Sequence, residues 1–196
     1  MRGFIHGLGE YHNDIINVND IFAVCKWARV YAKYYRPDKD VNDPLYRLVI
    51  SFYQLGDMIR LMNKSGLFYQ RHEVSEAMGS FIFHAIAAME MIDIHVDGFL
   101  YNKYIISSFE TLRSYSENYC ECTESLDLLR VSAQTQRQVL YYCMNRRNRF
   151  SKANLLQHFT DMVMGAIKLL EHRNWDIVIG LTMCMNKLID NELSHH

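Results

Sequence analysis

The chain of 196 residues sets 21 Lys and Arg against 22 Asp and Glu, for a formal net charge of -1, so no general electrostatic attraction to nucleic acid or an acidic membrane is expected. Hydrophobic residues at 49% and charged residues at 22% exclude a disordered chain and are enough for one core, or for two small helical units packed as one body. No basic start leads into a continuous apolar core and no apolar run approaches bilayer length, so the expectation is a soluble, cytoplasmic protein with no membrane partner.

Proline occurs only at Pro37 and Pro44, while Leu and Met recur at helical spacings, which predicts an all-α antiparallel bundle. Residues 1–17, with Gly3, Gly7 and Gly9, read as an irregular arm ahead of a single helical domain over 18–196. A first helix starts at Asn19 or Asp20, both good caps, and stops at Arg36-Pro37. Asp43-Pro44 opens a second, amphipathic helix that ends near Ser65-Gly66. Residues 67–80 form either a short helix stopped by Gly79-Ser80 or the lead-in to the helix that follows. That helix is predicted over Phe81 to Tyr101, with others over about 103–116, from about Leu126 to Asn145, from Ser151, and from Asn174 or the Trp175-Asp176 pair.

The segments IRLMNKSG (59–66) and IKLLEHRN (167–174) are alike, and each closes a long amphipathic helix. A tandem duplication of a three-helix unit would account for this, with 18–102 as the first half and 103–196 as a second half that has lost the first half's acidic stripe. The cysteines (Cys25, Cys120, Cys122, Cys143 and Cys184) are odd in number and contain no C-x-x-C pair, so they signal neither a disulfide framework nor a zinc site.

The chain is organised around FIFHAIAAMEMIDIHVDGFLY (81–101), apolar enough for burial yet carrying Glu90, Asp93 and Asp97. On one helix these fall at i, i+3 and i+7, a single acidic stripe whose like charges oppose the helix by ~0.2–0.5 kcal/mol per pair. Either the stripe faces water or a hard divalent cation compensates it.

Glu73-Val-Ser-Glu76 followed by Glu90-Met-Ile-Asp93 resembles the E-x-x-E, spacer, E-x-x-D signature of the all-alpha nucleoside triphosphate pyrophosphohydrolases, the MazG-like and dimeric dUTPase superfamily. The resemblance is one of motifs and covers about residues 20–102. It implies a helical bundle in which Glu73, Glu76, Glu90, Asp93 and Asp97 hold Mg2+ or Mn2+ against a nucleoside triphosphate. Glu73 or Glu76 would be the general base for water attack, releasing a nucleoside monophosphate and pyrophosphate. On a single unbroken helix Glu73 and Glu90 would stand ~25 Å apart, so this assignment requires a turn at Gly79-Ser80. In the alternative, YQLGDMIRLM supplies the first motif and Gln54 and Asp57 stand where two glutamates are expected.

The same resemblance places Asn102 and Lys103 at the phosphates, with a homodimer among the expected partners. Arg146, Arg147, Arg149 and Lys152 could clamp polyphosphate or an acidic protein partner, or could simply complement a helix C-terminus. Two functions therefore stand side by side: a Mg2+-dependent pyrophosphohydrolase, and a non-catalytic helical interaction or nucleotide-sequestering scaffold derived from that fold. A ferritin-like di-iron bundle would need two E-x-x-H pairs on separate helices, and the chain does not supply two.

Overall fold

The computed structural model describes residues 19–34, 71–119, 125–144, 149–171 and 176–194. Within them the chain forms α1 (Ile21–Tyr34), α2 (Arg71–Met91), α3 (Val96–Tyr104), α4 (Phe109–Tyr119), α5 (Ser125–Met144), α6 (Arg149–Glu171) and α7 (Ile177–Ser194). The described residues contain no strand, only an isolated antiparallel bridge between Asp20 and Ser108. The all-α expectation is met.

Local chemistry sets the helix starts. Asp20 caps α1, its Oδ1 accepting from Phe22 N at 2.9 Å, and Asp176 caps α7 in the same way through Val178 N at 2.7 Å. The start of α4 is capped twice: Ser108 Oγ accepts from Thr111 N, and Asn19 Oδ1 accepts from Glu110 N across a separation of 91 residues. Backbone bonds from Ile21 N to Ser107 O and from Phe109 N to Asn19 O join the first turns of α1 and α4.

The central helix is α2. Every residue from Phe81 to Glu90 is buried, as expected of a helix surrounded by others, and α2 packs chiefly on α7 and α1. From α1 it receives Val24, Cys25, Ala28 and Tyr31, a stripe at helical spacing. Helices α5 and α6 form an antiparallel hairpin, in which Thr135 Oγ shares its hydrogen between Val131 O of its own helix and His158 O of α6. Helix α6 also carries α4.

One open alternative is decided and two expectations are corrected. The sequence around Gly79-Ser80 does not stop a helix: α2 runs through it, and 71–80 is the lead-in. Gly79 is there for packing, since a Cβ on it would come within 2.2 Å of the Gly180 backbone, where α7 crosses α2. Conversely, 81–101 is not one helix. It breaks after Met91, and α3 leaves at 99° to α2. Helix α3 ends at Tyr104 and α4 begins at Phe109, which also divides the helix expected over 103–116. The helix expected over 45–65 lies outside the described residues, as does the 59–66 half of the repeat comparison. Among the described residues no single helix is long and apolar enough to cross a membrane.

Candidate functional site

The break between α2 and α3 creates the site. Asp93 N bonds to Glu90 O at 3.1 Å and Ile94 N to Met89 O at 3.0 Å, the paired pattern of a Schellman cap, with Asp93 in the left-handed region at φ 59° and the buried Ile94 closing the apolar contact. The chain then turns through His95, the N-cap residue of α3. Seven residues along a straight helix would hold Glu90 and Asp97 ~10 Å apart. The elbow brings both onto one partner.

That partner is Arg29, reaching from α1. Its Nε donates to Glu90 Oε2 at 2.8 Å and a terminal nitrogen donates to Asp97 Oδ2 at 2.5 Å. The side chains of Glu90 and Asp97 are only 2% and 9% exposed, whereas that of Arg29 is 35% exposed. His95 Nδ1 lies 2.9 Å from the same Glu90 oxygen, and Gly98 N donates to Asp97 Oδ1 at 2.7 Å. Asp97 sits favourably in the first turn of α3, while Glu90 sits at the negative end of α2, so it is the carboxylate that most needs a cation.

Electrostatics follow this geometry. Burial works against the Arg29 charge, but its hydrogen bonds to Glu90 and Asp97 and their attraction outweigh it and hold the guanidinium pKa above its ordinary value. One turn earlier on α1, the buried Cys25 thiol is pushed well above its usual range, by burial first and then by Asp97 and Glu90. It is a protonated core thiol and no nucleophile.

The other predicted residues are dispersed. Glu73 and Glu76 lie at the far end of the unbroken α2, ~25 Å and ~21 Å along its axis from Glu90, so they share no ion with it. Glu73 is exposed, and Glu76 Oε1 pairs with Lys187 Nζ of α7 at 2.6 Å. Asp93 is exposed on the cap turn. Asn102 is exposed on α3; Lys103 donates to Gln157 of α6 at 2.5 Å and lies over the rings of Phe99 and Tyr104. Gln54, Asp57, Arg146 and Arg147 lie outside the described residues.

A Mg2+ or Mn2+ ion does not fit the described residues at the elbow. Glu90 Oε2 and both Asp97 oxygens already accept hydrogen bonds, only Glu90 Oε1 has no partner, and a divalent ion there would face the guanidinium. No group of three His, Cys, Asp or Glu among the described residues is disposed to hold a metal. A recess of about 270 Å³ opens at the starts of α4 and α7, bounded by Asn19, Glu110, Arg113 and Asp176, and neither Arg29, Glu90 nor Asp97 lines it.

Arg29 is the residue that sequence reasoning missed. The available signal was indirect: two carboxylates in a run that must be buried demand a cation, and Arg29 borders the apolar stripe of α1. The chain matches no protein-family model, no curated protein and no solved structure.

Proposed function

We propose that this chain is a non-catalytic helical interaction scaffold, and that the Arg29, Glu90 and Asp97 clasp is the joint that sets its shape. One observation carries the reading: both buried carboxylates of the acidic segment share a single guanidinium. A hydrolytic metal centre needs those oxygens for itself, whereas a clasp uses them to hold α1 against the elbow between α2 and α3. Buried ion pairs of this kind add little net stability over an apolar substitute, so their contribution is to specificity of arrangement. In a scaffold that arrangement is the product, because it decides which helix faces are presented.

The test is thermal unfolding with and without millimolar Mg2+ or Mn2+ across the common nucleoside and deoxynucleoside triphosphates, with pyrophosphate followed in the same samples. The scaffold reading expects no metal-specific rise in melting temperature and no pyrophosphate. Metal-dependent stabilisation with pyrophosphate release, both lost in Glu90→Gln with Asp93→Asn, would replace it with the pyrophosphohydrolase.

A further inference from the structure

Charge is unevenly placed in this nearly neutral chain. Residues 128–160 contain six Lys and Arg (Arg130, Arg137, Arg146, Arg147, Arg149 and Lys152), and all 22 carboxylates of the protein lie outside them. This stretch is most of α5 and the first half of α6.

Helix α5 packs chiefly on α6 and turns two different faces. Leu128, Ser132, Thr135, Val139 and Tyr142 are buried at helical spacing. The opposite stripe, Leu129, Arg130, Ala133, Arg137, Leu140 and Tyr141, is exposed along its whole length. Three of these are large apolar residues left 40%, 45% and 55% exposed, at Leu129, Leu140 and Tyr141 respectively. Arg130 is held only loosely, 4.0 Å from Asp127 on its own helix.

We infer that the outward face of α5 is a docking site for an acidic amphipathic helix of a partner protein. The inference rests on the scaffold reading and names its partner class. Leu129 and Leu140 are three turns apart, ~17 Å, a span that three to four turns of a partner helix cover. The small Ala133 between them lets two helix axes approach to ~8–10 Å. Arg130 and Arg137 flank the apolar contacts and select glutamates or aspartates along the partner's edge, and the one carboxylate of α5 is Asp127 in its first turn. A phosphate backbone would engage the arginines but leave both leucines in water. An amphipathic helix engages both kinds of group.

Peptide-display selection against the full chain is the direct test. Enriched peptides should carry apolar residues at i, i+3 or i+4 and i+7, with flanking acids. Affinity for such a peptide should fall at least about tenfold in Arg130→Glu with Arg137→Glu, and again in Leu129→Ser with Leu140→Ser. A charge-swapped peptide, Lys in place of its acids, should restore binding to the arginine double variant, a rescue that unfolding could not produce.

Enriched peptides without that pattern, or affinity indifferent to these four residues, would overturn the inference. So would retention of a short RNA or of anionic vesicles through Arg130 and Arg137 with no peptide enriched, or a concentration-dependent dimer dissolved by the leucine changes. Pyrophosphate release would remove the scaffold reading while leaving peptide binding intact. Failure of the selection would remove the partner and leave that reading standing.

Discussion

Arg29 neutralises two carboxylates that burial would otherwise penalise, and its removal leaves them facing each other in a low dielectric. Arg29→Ala should therefore destabilise the fold by about 3 kcal/mol, at the lower end for a broken buried pair because the guanidinium is partly solvated. Arg29→Met combined with Glu90→Gln and Asp97→Asn should recover most of that loss; urea unfolding of the single and triple variants measures both, and an equal loss in the two would show that charge is not what the clasp supplies. Among the described residues, two hold a left-handed conformation without being glycine, Asp93 at φ 59° and Ile105 at φ 58°. The β-branched Ile105 is the more strained, and it is 77% exposed, so it loses little packing when truncated. Ile105→Gly should raise stability by about 1 kcal/mol and Asp93→Val should lower it by at least as much, read from denaturation midpoints.

At the scale of elements, α2 and α7 cross in close contact at two glycines. A Cβ on Gly79 would stand 2.2 Å from Gly180 backbone atoms, and one on Gly180 would stand 2.0 Å from Ser75 O. Neither obstacle is a side chain that can swing away, so the helices themselves must separate. Gly79→Ala should cost about 3 kcal/mol despite the better helix propensity of alanine, and Gly180→Ala a similar amount. Chemical denaturation decides it: a gain in stability for either variant would mean that the two helices do not cross there. The same contact explains why Gly79-Ser80, which reads as a helix stop in isolation, sits inside a continuous helix.

Over the whole molecule, the buried thiols make stability depend on alkaline pH. Burial above all pushes Cys184 from its ordinary 9.0 up to about 12, and Cys25 is raised as well. The folded state thus keeps thiol protons that the unfolded chain releases. This contribution is intact below pH 9.0 and is lost as pH rises towards 12. Lys187, raised by Glu76, changes stability in the same direction but is largely solvated and adds little. Urea midpoints should fall steeply above pH 9, with a slope approaching about 1.4 kcal/mol per pH unit for each thiol, and Cys25→Ala with Cys184→Ala should flatten that slope even though its midpoints start lower.

Sequence alone determined the features that depend on neighbours within one or two turns. The all-helical class followed from apolar periodicity and sparse proline, and cap-forming side chains narrowed two helix starts to Asn19 or Asp20 and to Asn174 or Trp175-Asp176, of which Asp20 and Asp176 bond the backbone amides. The burial of 81–90 was legible in its composition, and so was the need of a buried Glu90 for a counter-charge. Tertiary structure alone decided how that need is met. Glu90 finds Arg29 61 residues away, and the pairing exists only because α1 packs across an elbow. Local propensity does not forecast that elbow: its hinge is an aspartate and not a glycine, and an apolar run offers no period at which to break. The stripe read from helical spacing and the metal inferred from it both assumed a straight axis. Packing bent the axis and brought an arginine to the carboxylates.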